Sequence, residues 1–367
     1  MWELETLVSA FSASFFCAFF PYASLSYVAA DMNGEVRGVD LTQLYAEIKR
    51  LQTTEPLVLP PAPYSDVFFL KTGKTKSGKV EVYAARAKHS FSDPPNSSES
   101  KIFTSPITLA SLTKTDILDV DNGDLYLIKT ANTSSGNVEL QRASAASNYS
   151  TLQPTKPLVT GISTSEAPYG KFIIDNSDLY FIKTSNTSHG NVEVSFVTKS
   201  NAYQFVATST APNTAAPNTT TTPDSAKPPA PEFKLTKTTF STAEAANGTF
   251  AVLGSNIFFI KTRNTTSRTV ELYLFRAVDN YTKPPTYYST SFPVEEGGNG
   301  TWDVGPNRDL YFLKQRGDKS KGFGGKTEVH VLKEKVEGQQ KKYVGRAATY
   351  ATWVGEEEGR EGIWRAR

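Results

Sequence analysis

The stretch Asp124-Leu-Tyr-Leu-Ile-Lys-Thr-Ala-Asn-Thr-Ser-Ser-Gly-Asn-Val-Glu-Leu140 decides the fold, because the chain writes variants of it five times. The other copies are Asp66-Val-Phe-Phe-Leu-Lys71 with Val80-Glu-Val82, Asp178-Leu-Tyr-Phe-Ile-Lys183 with Val192-Glu-Val194, Asn256-Ile-Phe-Phe-Ile-Lys261 with Val270-Glu-Leu272, and Asp309-Leu-Tyr-Phe-Leu-Lys314 with Glu328-Val-His330. Their lysines stand 58, 54, 78 and 53 residues apart, a spacing that marks a repeat architecture. In each copy an aromatic and β-branched run meets a polar segment such as Asn132-Thr-Ser-Ser-Gly136, which reads as a hairpin. In four copies Lys and Glu are ten residues apart (Lys71/Glu81, Lys129/Glu139, Lys183/Glu193, Lys261/Glu271), which fixes loop length and strand register. The fifth couple, Lys314/Glu328, holds four more residues, in a loop that includes Gly317 to Lys326. These couples read as cross-strand pairs of modest worth, or as groups that bind hydroxyl-rich ligands.

Further strands flank each hairpin. Upstream lie Ile117-Leu-Asp-Val120, Lys171-Phe-Ile-Ile174, Thr249-Phe-Ala-Val252 and Thr301-Trp-Asp-Val304; downstream lie segments such as Tyr203-Gln-Phe-Val206 and Tyr287-Tyr-Ser-Thr290. Four short strands per repeat is the content of one propeller blade. The expected fold is all-β, a five-bladed β-propeller of four-stranded blades over residues 63–355. The first copy has only Leu57-Val-Leu59 and prolines before it, whereas Tyr350-Ala-Thr-Trp-Val354 looks like Thr301-Trp-Asp-Val304. That C-terminal strand is therefore expected to complete the first blade, with residues 356–367 as a charged tail. A Pro/Thr-rich insertion, 208–231, interrupts the third repeat and reads as an extended loop.

Residues 1–30 hold an apolar run, Leu7 to Tyr22, too short for the roughly 20 residues of a membrane span and closer to a secretion signal. Against a signal, Glu3 and Glu5 stand where one carries basic residues; secretion is the expectation and a cytoplasmic protein the alternative. Residues 31–62 form an extension with a short amphipathic helix, Asp40 to Leu51, and a Pro-rich linker. The 367 residues, 38% hydrophobic and 12% aromatic, suffice for a large core, and a net charge of +2 gives no case for nucleic acid. One cysteine, Cys17, excludes a disulfide framework within the chain, and His89, His189 and His330 stand far apart. Nine Asn-x-Ser/Thr sequons suggest a glycoprotein, although Asn132, Asn186 and Asn264 sit in hairpin loops where turn chemistry explains them equally well.

The recurring Asp-Leu-Tyr-Phe-Ile-Lys-Thr-x-Asn-Thr-x-Ser-Gly-x-Val-Glu-Val, followed by Ala-x-Ser-Asn-Tyr, resembles the VCBS/FG-GAP-type propeller repeats of secreted bacterial and fungal proteins, some of them lectins or appended to hydrolases. The resemblance covers roughly Ser65 to Val354. It implies calcium loops, of which only Asp119-Val-Asp-Asn-Gly-Asp124 survives here, so Asp119, Asp121 and Asp124 are the sole metal candidates and no cofactor is expected. No catalytic motif is present, and the repeated glutamates are not a unique centre, so the chain reads as no enzyme. The leading functional expectation is a lectin-like propeller for glycans or glycoproteins, with repeated sites between blades. Tyr149, Tyr203, Tyr281, Trp302 and Trp353 would offer aromatic plates, and Asn132, Asn186 and Asn264 would offer amides. The alternative is a propeller that binds other proteins. Oligomeric state is left open.

Overall fold

The computed structural model describes residues 28–30, 36–38, 64–92, 102–201, 203, 235–316, 325–337 and 340–367. The expected apolar N-terminal run, the helix at 40–51, Cys17, the 208–231 insertion and most of the 317–326 loop lie outside them. The chain divides into two compact units, Met1–Ala62 and Pro63–Arg367. In the first, β1 (Val28–Ala30) and β2 (Val36–Gly38) pair antiparallel.

The second unit is almost wholly β. In chain order its strands are β3 (Val67–Lys71), β4 (Lys79–Ala85), β5 (Phe103–Thr108); β6 (Ile117–Asp121), β7 (Asp124–Lys129), β8 (Asn137–Ala143), β9 (Leu152–Ser163); β10 (Gly170–Asp175), β11 (Asp178–Lys183), β12 (Asn191–Val197), β13 (Thr236–Ser241); β14 (Asn-flanked Gly248–Leu253), β15 (Asn256–Lys261), β16 (Thr269–Phe275), β17 (Thr286–Pro293); β18 (Gly300–Val304), β19 (Leu310–Lys314), β20 (Lys326–Glu337), β21 (Gln340–Gly355); and β22 (Gly362–Ala366). They form three four-stranded sheets, β22-β3-β4-β5, β6-β7-β8-β9 and β10-β11-β12-β13, and one eight-stranded sheet. The large sheet is two meanders, β14 to β17 and β18 to β21, joined where β17 and β21 run parallel at Ser289/Lys342 and Thr290/Tyr343. Meanders of this kind, packed face on face, are the layout of a β-propeller. Among the described residues no helix is long and apolar enough to cross a membrane.

The apolar runs explain the packing. Leu125 to Ile128 and Leu179 to Ile182 are buried without alternation, because each sheet is covered on both faces. Phe68 and Val82 of the first meander share a core with Leu118 and Leu127 of the second. Ile128 packs with Phe172 and Phe181 of the third, and Tyr180 and Ile182 with Phe250 and Phe259 of the fourth. Phe258 packs with Trp302 and Phe312 of the fifth, whose Tyr311 and Val329 return to Phe69 and Trp364 of the first. The cores thus run in a cycle.

Two local devices recur. Gly170, Gly248, Gly300 and Gly362 begin β10, β14, β18 and β22, and a Cβ there would collide with the carbonyl oxygens of Ile182, Ile260, Leu313 and Leu70 on the neighbouring strand. Glycine lets the first strand lie that close to the second. In the outer strands, Ser105, Thr160, Thr238, Thr290 and Thr352 each accept a hydrogen bond, at 3.1–3.2 Å, from the amide two residues on. Each hydroxyl stabilises a bulge that turns Ile107, Ile162, Phe240, Phe292 or Val354 into the core.

The closing strand corrects the sequence reading. Tyr350-Ala-Thr-Trp-Val354 belongs to β21, where Thr352 is the bulge residue, and it pairs with β20. The strand beside β3 is β22, in the supposed charged tail, with Trp364 opposite Phe69. Trp364 donates Nε1–H to the Gly359 carbonyl at 2.9 Å as Trp302 does to Gly297 at 2.8 Å, so Gly362-Ile-Trp-Arg is the true counterpart of Gly300-Thr-Trp-Asp. In the third meander the strand paired with β12 is β13, after the insertion, in place of the expected Tyr203 to Val206.

Closure by β22 makes a test. Trp364→Ala, in a fully buried side chain, should cost about 3–5 kcal/mol in urea unfolding. Trp353→Ala, at a half-buried ring, should cost clearly less; the reverse order would place closure at residues 350–354.

Candidate functional site

The first strands β6, β10, β14, β18 and β22 are neighbours in turn around the second unit. Their registers set Asp119, Ile173, Ala251, Asp303 and Arg365 at one level, opposite Tyr126, Tyr180, Phe258, Tyr311 and Phe68. Side chains at this level and its flanks tie the meanders together. Asp119 Oδ2 accepts the Ile174 amide at 2.9 Å, and its Oδ1 accepts Arg365 Nε at 2.5 Å. Asp303 Oδ2 accepts the Ala366 amide at 3.0 Å and Arg367 Nη1 at 3.2 Å. Asp121 and Asp175 accept the amides of Ser177 and Ser255 at 2.8 and 2.9 Å, and Lys171 Nζ donates to Thr249 Oγ1 and the Phe250 carbonyl at 2.9 and 2.8 Å.

Burial works against the charge on Asp119, but Arg365, Arg367 and the Ile174 amide together hold its carboxyl below the usual carboxylate range. Asp121 goes the other way: burial raises it more than the Ser177 amide and Arg367 lower it. Burial, with Arg365 adding to it, pulls the Lys171 ammonium down to about 8. These groups face fixed partners in the next strand, which makes the cluster an anchor for the inner strands. The calcium candidates are accordingly divided: Asp119 serves Arg365 and Ile174, Asp121 serves Ser177, and Asp124 accepts the Ala145 amide at 2.8 Å and pairs with Arg142 at 3.2 Å. Among the described residues no three carboxylate, histidine or cysteine side chains are placed to hold a metal.

The five Lys/Glu couples stand directly opposite in register. Their partners differ from expectation. Lys71, Lys183, Lys261 and Lys314 reach instead to Glu358, Glu166, Glu244 and Glu296, at 2.6, 2.6, 2.8 and 3.3 Å, in the turn before each first strand. The opposing glutamates are buried and fold the hairpin loop: Glu81 and Glu139 accept Ser77 Oγ and Ser135 Oγ at 3.0 and 2.9 Å, and Glu271 accepts the Thr266 and Ser267 amides at 2.8 and 3.0 Å.

The nominated aromatics are also structural. Tyr149, Tyr203 and Tyr281 are buried, and their hydroxyls donate to the carbonyls of Gly123, Ser177 and Ser255 at 2.6, 2.8 and 2.7 Å, pinning each meander to a turn within itself. Burial pushes the Tyr149 phenol up to about 12 and raises Tyr203 and Tyr281 as well. Trp302 is buried against Phe312, and Trp353 lies half-buried, 5.0 Å from Tyr83. As exposed sugar platforms these residues are corrected by their burial. Asn132, Asn186 and Asn264 are exposed in the hairpin loops at φ values of 54°, 51° and 51°, the left-handed geometry asparagine tolerates, and Asn264 Nδ2 donates to Asn247 Oδ1 at 2.7 Å.

A cleft of about 650 Å³ lies between the second and third meanders. Its apolar part is Tyr126, Leu140, Pro154, Leu158 and Tyr203; its polar part is Gln141, Arg142, Gln153, Thr155 and Lys199. The cause is a bulge: Leu140 pairs with Leu158 and Arg142 with Gln153, so residues 154–157 leave the ladder. Pro154 and Pro157 have no amide N–H to give that ladder. Both tyrosine hydroxyls donate to Ser177, to its Oγ at 3.1 Å and its carbonyl at 2.8 Å, and Gln141 Nε2 donates to the Pro154 carbonyl at 3.3 Å, so Gln153, Arg142 and Lys199 are the donors left to face the cleft. Tyr203 is thus the one nominated residue that reaches the cleft, as part of its floor. Sequence reasoning missed the rest; Gln153-Pro-Thr-Lys-Pro157, which no other repeat carries, was the available signal.

No protein-family model and no curated protein matches the chain. Among solved structures it is similar to the Bacteroides ovatus protein titled xyloglucan PUL GH43B, at 11% identity over 75% of this chain and 52% of that one, with a TM-score of 0.38. It is also similar to a Bacteroides uniformis protein assigned as a 6-phosphogluconolactonase (9% identity, 80% and 84% covered, TM-score 0.37) and to YjhT (11%, 69% and 73%, TM-score 0.30). The chain spans about half the length of the first of these. Likenesses at this level assign no substrate and no residue to this chain. One expectation is nevertheless corrected: two of the three neighbours are enzymes by name, so the reading of the chain as a non-enzyme, drawn from missing motifs, is set aside.

Two titrations test the axial anchors. Asp119→Asn should cost about 3–5 kcal/mol near neutral pH, the usual loss on breaking a buried pair. Because the folded carboxyl lies below its unfolded value of 3.8, that difference from wild type should hold above pH 3.8 and shrink as pH falls further. For Lys171, folded near 8 and unfolded near 10.5, the folded chain releases its proton first, so wild-type stability relative to Lys171→Met should rise between those values. Melting temperatures across pH 7 to 10 would read it.

Proposed function

We propose that residues 63–367 form a five-bladed propeller of the VCBS/FG-GAP type, and that it binds carbohydrate in the cleft between its second and third blades. The meanders, and the cycle of cores that joins the fifth to the first, support five blades. The observation that carries the function is the cleft: an apolar floor edged by two amides, a guanidinium and an ammonium. A pyranose presents an apolar C–H face and a rim of hydroxyls, and a concave apolar site with few convergent polar groups matches that division. Leu158 and Pro154 meet the C–H face, with Tyr126 and Tyr203 beneath, and Gln141 and Gln153 are within reach of hydroxyls at the rim. The expected partners are glycans or glycoproteins met outside the cell, with the exposed sequons Asn132 and Asn186 available for glycosylation.

A glycan array on the purified chain tests this reading. Binding should be present in wild type and fall about tenfold or more in Leu158→Trp, which fills the cleft, while the melting temperature holds. Silence across a broad array removes carbohydrate and leaves the protein-binding propeller as the surviving alternative.

A further inference from the structure

The charge around the cleft narrows the ligand. Every ionisable group in the lining other than tyrosine is a cation, Arg142 or Lys199, and no carboxylate lines it. Arg142 is engaged by Asp124, through Nη1 at 3.2 Å, and by the Tyr126 hydroxyl, and its five N–H donors exceed those two contacts. Lys199 is exposed, its amide rather than its ammonium bonds Asp178, and its ammonium has no ion pair among the described residues. The bulge that forms one wall adds a third exposed cation, Lys156. The tyrosine hydroxyls donate to Ser177, so their O–H groups are spent inside the protein and only their oxygens face a ligand, as neutral acceptors.

A neutral sugar offers hydroxyls that both donate and accept, and a site for it gains from carboxylate acceptors. Here the charged groups only donate. We infer that the cleft selects an acidic saccharide, one carrying a carboxylate or sulfate that Arg142 and Lys199 receive together while its ring lies on Leu158 and Pro154. The inference rests on the carbohydrate reading above and specifies its ligand class.

The test compares tetragalacturonate with its methyl ester, which keeps the ring and removes the charge, by calorimetry on the whole chain at low and moderate salt. The acid should bind at least about tenfold more tightly than the ester, and the advantage should shrink as salt rises. Lys199→Gln, at an exposed position, should remove most of the preference without changing the melting temperature. Arg142→Gln should remove it further, with its melting temperature measured alongside because Asp124 loses a partner. Equal binding of acid and ester overturns the acidic preference and leaves carbohydrate binding standing. A preference untouched by Lys199→Gln and Arg142→Gln overturns the site assignment. Displacement of the acid by inorganic sulfate at matched concentration, with no binding of the ester, reduces the site to an anion site and overturns the saccharide. Binding of an acidic peptide such as tetraglutamate as tight as that of the sugar does the same. If neither the acid, the ester nor any sugar on the array binds, this inference and the carbohydrate reading fail together.

Discussion

Every sheet in the second unit is apolar on both faces, so none can be left at an end. Here the sheets cover one another in turn, and the last meets the first: β22 lies against both β18 and β6. The final six residues carry that closure, since β22 supplies the inner strand of the meander that β3 begins. The hydrophobic cores are mutually similar and would tolerate a shifted docking of the terminal strand. The buried charges would not: Arg365 finds Asp119 and Arg367 finds Asp303 in one register only, across 246 and 64 residues of chain. A buried pair gives little net stability, yet a misplaced one leaves uncompensated charge, so its main effect here is to select the register.

Within this ring, repetition separates support from candidate function. In the first four meanders the Asp or Asn at the start of the second strand holds the amide 21 residues on, in the second to fourth a Tyr near the outer turn holds a carbonyl 26 residues back, and in all but the second the Lys at the end of the second strand reaches the glutamate before the first. Each device recurs because each meander has the same termini to satisfy. The second meander departs from the pattern in the turn before its first strand and in its outer strand. No acid stands in its Leu109–Ser111 turn, so among the described residues Lys129 has no such partner, and its outer strand carries the proline bulge.

Much of this was legible in the residues. Hairpins, register and strand content followed from the spacing of Lys and Glu, because loop length alone sets register. Closure was misassigned because Trp353 and Trp302 look alike in a short window, while the distinguishing features are a glycine before the strand and a threonine within it. The glycine's role depends on how near a neighbouring strand passes, and the threonine's on a bulge; neither is a property of the window itself. The tyrosines were misjudged for a similar reason. They were nominated as plates for sugar, but the left-handed turn at Asn148 and Tyr149 carries the ring back into the core. The cleft was invisible because its two walls come from different repeats.

The outer strands show why that cleft is the place to look. β5 and β13 do their work with six residues, of which the Ser or Thr and the apolar residue two beyond it are the necessary part. β9 has 12 residues and β21 has 16. The surplus of β21 has a structural outlet, since it pairs with β17 and joins two meanders. The surplus of β9 pairs with β8 at Leu152, Gln153 and Leu158 but leaves that ladder over residues 154–157, where it borders an opening. Leu152 and Leu158 at its two ends pack against neighbouring cores, while Thr160 and Ile162 supply the bulge and core contact that each outer strand contributes. The segment gives up ladder hydrogen bonds over residues 154–157 and sets Pro154 and Leu158 beside two cations, and it is on that departure from the repeat that the proposed ligand site rests.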